Sequence, residues 1–117
     1  MYFKQEFGKE GEDYATKCLE EKGYRIIERN FSCRRGEIDI IAFKNQQMVF
    51  VEIKSRTSTK YGLPSEAVTK KKLNHLLKAA EYYLIVRKIK NIDIRIDVIE
   101  VYKTKNEYRI NHIKQVI

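Results

Sequence analysis

The sequence predicts a single α/β domain in which helices flank a mixed central sheet, with the element order α-β-β-β-α-β-β. Two segments repeat apolar side chains at helical spacing, and two consecutive strand segments are apolar on both faces. Strands of that kind need helices on both sides of the sheet. A chain of 117 residues is long enough for one domain of ordinary size but not for two.

The elements can be placed from apolar periodicity and from the residues that end helices. Gly23 is a natural end for the first helix, and Thr69 is a suitable N-cap for the second. Between the third strand and the second helix, Gly62 and Pro64 predict a polar loop over residues 56–65. The predicted elements are a helix over 5–22, strands over 24–29, 37–43 and 48–55, a helix over 70–88, and strands over 92–103 and 108–116. Residues 30–35 are predicted as a loop between the first two strands.

Positive charge is concentrated in one part of the chain. The net charge is +8, from 24 Lys and Arg against 16 Asp and Glu. Residues 54–78 hold a single acid, Glu66, and seven basic residues: Lys54, Arg56, Lys60, Lys70, Lys71, Lys72 and Lys78. Such a stretch suits a polyanionic partner such as DNA, although a charge run of this kind is also typical of a solvated helix face.

Several classes of protein do not fit the composition. The two cysteines, Cys18 and Cys33, are too few for a disulfide framework and lack metal-ligand spacing. Cys18 lies in the apolar stripe of the first helix, so we expect it in the core. Charged residues near the start argue against a leader peptide, and no apolar run approaches the ~20 residues of a membrane span. We expect a cytoplasmic protein without membrane association.

The two apolar strands carry charged side chains that a hairpin would bring together. A turn between Asn45 and Gln46 would place Asp39 opposite Glu52 and Glu37 opposite Lys54. Side chains alternate along a strand, so these four side chains would share one face of the sheet. The sequence therefore predicts a square of three acids and one lysine.

This square needs compensation, because opposed like charges destabilise a sheet. Two carboxylates about 5 Å apart repel by roughly 3 kcal/mol at an effective dielectric constant of 20. Mg²⁺ or Mn²⁺ would remove the conflict, with Asp39, Glu52 and the carbonyl of Ile53 as oxygen ligands. Lys54 could then act on water or on a phosphate. The alternative is that Lys54 only neutralises Glu37 and Glu52 in a cross-strand ionic cluster.

These residues also carry a resemblance. Asp39 followed by Glu52-Ile53-Lys54 resembles the PD-(D/E)XK nuclease signature. The longer strings over residues 36–42 and 49–56 resemble the YraN-like family of endonucleases, which is similar to Holliday-junction resolvases. The likeness extends over nearly the whole chain, although Ile38 stands where the motif's name has proline.

The resemblance implies a restriction-endonuclease-like αβββαβ core and a site in which Asp39 and Glu52 bind the metal and Lys54 is catalytic. By the same match, Glu12 of the first helix joins the site, and Lys72 of the second helix faces it. Apart from the resemblance, basic side chains on both sides of the site suit contacts with the DNA backbone. These are Arg34, Arg35, Arg56, Lys60, Lys71 and Lys78.

The leading hypothesis is a metal-dependent endonuclease that hydrolyses phosphodiesters in structured or branched DNA. One alternative is a non-catalytic nucleic-acid-binding module, and another is an adaptor whose basic surface binds an acidic protein. Because junction resolvases cut two strands symmetrically, we also expect a weak or DNA-dependent homodimer, for which the final strand from Tyr108 is a candidate surface.

Overall fold

A computed structural model describes residues 2–56, 69–105 and 107–117, without the side chains of residues 2–7 and 56. The elements are α1 Tyr2–Glu21, β1 Arg25–Cys33, β2 Gly36–Lys44, β3 Gln47–Arg56, α2 Lys70–Val86, β4 Asp93–Thr104 and β5 Glu107–Ile113. The strands form one sheet in the order β1-β2-β3-β4-β5. The β3–β4 pair is parallel and the other pairs are antiparallel. The predicted α/β class with a mixed sheet is confirmed.

The hairpin between β2 and β3 has the predicted turn. Asn45 and Gln46 have φ angles of 52° and 65°, as a two-residue type I′ turn requires. The register places Phe43 opposite Met48 and Ile40 opposite Val51. The predicted pairing is therefore confirmed from the turn as far as Ile40.

The predicted loop over residues 30–35 is wrong. β1 continues to Cys33, which pairs with Gly36, so the connection to β2 is only Arg34 and Arg35. A register shift between Ile26 and Glu28 interrupts β1. Asn30, farther along the strand, has a φ of 56°. These irregularities break the alternation by which a strand is recognised in a sequence.

The two helices cover opposite faces of the sheet, as predicted. Ala15 and Leu19 of α1 are buried against one face, and the buried residues of α2 lie against the other. The α1 face is formed by Ile40, Ala42, Val49, Val51, Ile99 and Val101. The α2 face is formed by Phe31, Ile38, Ile41, Met48, Phe50 and Ile96. Cys18, which was expected in the core, is only half-buried.

The N-terminus of α2 lies beside the cleft described below. Thr69 is the N-cap, and its hydroxyl accepts a hydrogen bond of 3.2 Å from the backbone N–H of Lys72. This confirms the predicted cap. Predictions that concern residues 57–68, including Lys60, fall outside the described residues. No helix in the described part of the chain is long and apolar enough to cross a membrane.

Two glycines of α1 differ in how closely the sheet approaches them, and this gives a first prediction. A Cβ at Gly11 would lie 2.6 Å from Ser55 Oγ on β3, whereas a Cβ at Gly8 would meet no described atom within 4 Å. Gly8→Ala should raise the free energy of unfolding by about 0.5–1 kcal/mol through helix propensity.

Gly11→Ala gains the same propensity but forces α1 and Ser55 apart, so it should be less stable than Gly8→Ala. Urea denaturation of both variants measures the difference. Equal stabilisation by the two substitutions would contradict the close packing of α1 on β3 at this point.

Candidate functional site

The side chain of Asp39 lies where β2 changes face. Ile38 packs in the α2 cluster, whereas Ile40 packs in the α1 cluster, although residues two apart on a regular strand share a face. The β2–β3 pairing ends at Ile40, and beyond it the N–H of Ile53 donates to Asp39 Oδ2 at 2.7 Å. The carboxylate of Asp39 thus replaces a main-chain acceptor next to Glu52.

The surroundings of Asp39 raise its pKa from 3.8 to about 7. Removal of the carboxyl group from water is the largest cause, and the hydrogen bond from the N–H of Ile53 opposes it. The negative charges of Glu52 and Glu12 and a hydrogen bond with Glu52 raise the pKa further. The two strand carboxyl groups are therefore close enough to disfavour simultaneous ionisation.

Glu52 is paired with Lys54 on the same face of β3. Lys54 Nζ lies 3.4 Å from Glu52 Oε2, and the two side chains are only 17% and 22% exposed. The ion pair holds the ammonium group beside the carboxyl cluster. No ion pair to Asp39 is present among residues 2–56, 69–105 and 107–117.

The carboxylates open into a cleft of about 390 Å³ between the sheet and the start of α2. Glu37 is exposed and lines this cleft, as do Lys72 and His75 from the helix. Gly36 faces the helix, where a Cβ would make an ordinary contact with His75 O at 3.6 Å, and its φ of 152° is a conformation that favours glycine. The resemblance had implied a site position for Lys72, and the structure places that lysine on the cleft.

Glu12 of α1 does not line this cleft and is held by residues of β1. Its Oε2 accepts hydrogen bonds from Arg29 Nε at 2.9 Å, Arg29 Nη2 at 2.6 Å and Asn30 Nδ2 at 3.1 Å. Its side chain is 13% exposed, and its charge contributes to the raised pKa of Asp39. The structure therefore brings Glu12 near Asp39 and fixes it with an arginine.

The predicted square is realised in part. Asp39, Glu52 and Lys54 lie together, and Glu37 shares their cleft. Among the described residues, however, the cross-strand ionic cluster is reduced to the Glu52–Lys54 pair, because Glu37 makes no ion pair with Lys54. The residue that the sheet pairs with Glu37 is Ser32 of β1.

The donor set fits a hard divalent cation. Across the described ranges, no three His, Cys, Asp or Glu side chains are grouped as a complete metal site. Mg²⁺ commonly takes only one or two carboxylates and keeps water or phosphate in its remaining positions. Asp39 and Glu52 match that requirement. The N–H of Ile53 points toward β2. Because the N–H and the carbonyl of one strand residue point to the same side, the carbonyl of Ile53 also points toward β2.

The predicted DNA-binding residues fall into two groups. Lys71 and Lys78 are exposed on α2 beyond the cleft, and Arg34 and Arg35 are exposed at the β1–β2 turn. The backbone of Arg56 ends β3, and its side chain is outside the described part. These basic side chains therefore lie on α2, whose start borders the cleft, and on the turn that precedes Gly36 and Glu37 of the cleft.

One buried acid beside the site was missed. Glu100 of β4 is the sheet partner of Lys54 and is only 1% exposed. Its Oε1 accepts from Asn111 Nδ2 at 2.8 Å, whereas its Oε2 has no hydrogen-bond partner in the described structure. Only the parallel β3–β4 register places Glu100 next to Lys54, and the sequence carries no local sign of that register.

Comparison with known proteins places the chain in a family. The model described as "Uncharacterised protein family UPF0102" matches residues 11–101. A UPF0102 protein of Caldicellulosiruptor saccharolyticus is 50% identical over 113 residues, which cover 95% of this chain and 96% of the relative. One of Persephonella marina is 48% identical over 107 residues, with 92% and 89% covered. One of Clostridium perfringens is 45% identical over 114 residues, with 96% and 93% covered. The chain therefore belongs to the UPF0102 family.

Proposed function

We propose that this protein is a metal-dependent DNA endonuclease of the PD-(D/E)XK type, similar to the YraN-like nucleases, that hydrolyses phosphodiesters in structured or branched DNA. The observation that carries the proposal is the juxtaposition of Asp39 with Glu52. The two acids share a half-buried position, and the pKa of Asp39 is raised to about 7. A structural ion cluster would instead pair Asp39 with a cation, and none of the ion pairs within the described ranges involves Asp39.

Asp39, Glu52 and the carbonyl of Ile53 would hold Mg²⁺ or Mn²⁺. The cation would supply positive charge to the scissile phosphate and lower the pKa of water. The chain itself orients these ligands, because the N–H of Ile53 fixes Asp39 Oδ2 and Lys54 fixes Glu52 Oε2. Such constraints reduce the reorganisation that binding would otherwise require.

Lys54 is the residue we assign to the reacting phosphate. Its ammonium group is held 3.4 Å from Glu52 Oε2 and is mostly shielded from solvent, where its charge acts more strongly than in water. It can donate hydrogen bonds to a non-bridging phosphate oxygen or orient the attacking water. Lys72, across the cleft, supplies a second cationic group for the DNA backbone.

Incubation of the purified protein with branched, flapped and linear DNA in Mg²⁺ or Mn²⁺ tests the proposal. Cleavage should require the metal and should be lost in Asp39→Ala and in Lys54→Ala. Arg109→Ala removes an exposed charge from β5 and serves as the control. DNA binding without cleavage, and with no response to either metal, would favour a non-catalytic nucleic-acid-binding module.

Metal affinity should depend on pH in a way set by Asp39. Because its pKa is about 7 and a cation binds the ionised form, binding below pH 7 must release a proton. As the pH rises toward that pKa, the apparent Kd for Mn²⁺ should therefore fall about tenfold for each pH unit. Above that pKa it should become constant. Calorimetric titrations in buffers of different ionisation enthalpy measure the proton release. An affinity independent of pH between 5 and 8 would show that Asp39 is not a ligand.

A further inference from the structure

A second cleft lies along α2, on the far side of the β1–β2 turn from the carboxylates. Its volume is about 500 Å³, within the range of roughly 300–1,000 Å³ that is usual for small-ligand sites. Phe31, Tyr82 and Val86 form its apolar wall, and Arg34, Arg35 and Arg87 form its basic wall. Nothing in the proposed hydrolysis uses this cleft.

The aromatic wall includes one exposed ring, that of Tyr82. Tyr82 is 45% exposed, although it lies next to the core, and its ring centroid is 6.4 Å from that of buried Phe31 at a tilt of 36°. Phe31 is fixed from behind by Tyr83, with centroids 5.0 Å apart in an edge-to-face contact. Tyr82 is therefore an exposed aromatic platform on a rigid base.

The basic wall carries uncompensated charge. Arg87 is neutralised by Glu28, whose two carboxylate oxygens each lie 3.1 Å from Arg87 Nη2. Arg34 and Arg35 are exposed and make no ion pair within the described ranges. The cleft thus combines a stacking surface with two cationic side chains, which are the elements of single-strand binding sites.

The two clefts lie on one path. His75 lines the carboxylate cleft and Tyr82 lines the second one, and residues seven apart lie on the same side of a helix. They are separated by about 10 Å along α2, a distance that about three stacked nucleotides of one strand would cover. Arg35 and Gly36, adjacent in sequence, line one cleft each.

We propose that the Tyr82 cleft binds an unpaired nucleotide of the DNA substrate, a few nucleotides from the phosphate held at Asp39 and Glu52. The base stacks on Tyr82, and Arg34 and Arg35 bind the flanking phosphates. A base within a duplex has no free face for such stacking, so the cleft selects DNA with single-stranded segments. This inference rests on the proposed nuclease function and names the feature of the substrate that the protein recognises.

Binding without divalent metal tests the inference separately from cleavage. Fluorescence anisotropy in EDTA would compare a blunt duplex with the same duplex carrying a single-stranded overhang. Tyr82→Ala should weaken binding of the overhang substrate by about five- to a hundredfold and leave the blunt duplex unaffected. Tyr82→Phe keeps the aromatic face and should bind as the wild type does. Arg109→Ala, on the opposite edge strand, controls for loss of charge.

A fluorescent adenine analogue placed at each overhang position gives a second readout. The wild type and Tyr82→Phe should quench one position strongly, and Tyr82→Ala should not. Joint replacement of Arg34 and Arg35 by alanine should make binding less dependent on salt. The slope of log binding constant against log salt concentration should become shallower by about 0.7 for each phosphate that the variant no longer neutralises.

The outcomes separate the two proposals. Equal affinity of wild type and Tyr82→Ala for the overhang substrate, with no position-specific quenching, overturns the cleft assignment even if the protein cleaves DNA. Loss of overhang binding in Tyr82→Ala, in a protein that never cleaves with Mg²⁺ or Mn²⁺, supports the cleft as a single-strand site and rejects the nuclease function.

Discussion

Asp39→Asn should yield a protein that no longer cleaves DNA and yet is more stable than the wild type above pH 7. Loss of a metal-binding carboxylate should lower the cleavage rate on the order of a thousandfold. Asparagine can still accept the hydrogen bond from the N–H of Ile53, so the local backbone should be retained. Activity and stability would then change in opposite directions.

The sign of the stability effect follows from the pKa of Asp39, which the fold raises from 3.8 to about 7. The contribution of Asp39 to stability is fully present below the pKa that it has in the unfolded chain. This contribution is lost as the pH rises through the higher pKa of the folded state. Asparagine resembles the protonated carboxyl at every pH. The difference between the variant and the wild type should therefore grow between pH 4 and 7 and reach on the order of 3 kcal/mol.

Chemical denaturation at several pH values, without divalent metal, measures this difference. Asp93→Asn is a matched control, because it makes the same change at an exposed carboxylate that forms no ion pair within the described ranges. Addition of Mn²⁺ should stabilise the wild type by RT ln(1 + [L]/Kd) and should leave Asp39→Asn unchanged. A variant that is less stable than the wild type at every pH would contradict the origin that we assign to the shift.

Asp97→Ala should destabilise the protein by about 3–5 kcal/mol, because it removes one partner from a buried ionic cluster. The carboxylate of Asp97 is fully buried and accepts from Arg95 Nε at 2.9 Å, Arg95 Nη2 at 2.8 Å and the N–H of Gln115 at 3.0 Å. His112 Nε2 lies 2.7 Å from Asp97 Oδ2. Its removal leaves a guanidinium group without its counter-ion.

The pKa of Asp97 adds a pH signature. Burial alone would raise it, but the hydrogen bonds from His112, Arg95 and the N–H of Gln115 lower it below its usual value. The contribution of Asp97 to stability is therefore present above its unfolded-state pKa and is lost as the pH falls through the lower folded-state value. The deficit of Asp97→Ala should shrink in acid.

Thermal and urea denaturation of Asp97→Ala and Glu28→Ala would separate buried from exposed pairing. Glu28 also bonds an arginine, Arg87, but their side chains are 31% and 45% exposed, so its loss should cost about 0–1 kcal/mol. The hydrogen bonds of Asp97 indicate that its cluster anchors residues near the end of the chain to β4. Similar losses of unfolding free energy in the two variants would contradict this role.

The β2–β3 register could be predicted because local rules determine it. A two-residue loop fixes the pairing of the strands that it joins, and Asn45 and Gln46 adopt the positive φ angles of such a loop. That register was sufficient to bring Asp39 near Glu52. It also placed Lys54 on the face of Glu52, where the structure has their ion pair.

Other features depend on contacts between residues far apart in the sequence. β2 changes face at Asp39, where its pairing with β3 ends, and Glu37 makes no ion pair with Lys54 within the described ranges. Glu12 has no local feature that distinguishes it from a surface acid, and its hydrogen bonds from Arg29 and Asn30 of β1 fix its position. Such placements arise from tertiary contacts, which apolar periodicity does not encode.

The central claim is that Asp39 and Glu52 together form a divalent-cation site. Diffraction from Mn²⁺-soaked crystals, recorded at the manganese absorption edge, tests it most directly. We predict an anomalous peak between the two carboxylates in the wild type and no peak there in Asp39→Ala. Wild-type crystals with no peak at this position, under conditions in which soaked Mn²⁺ is bound elsewhere, would contradict the account.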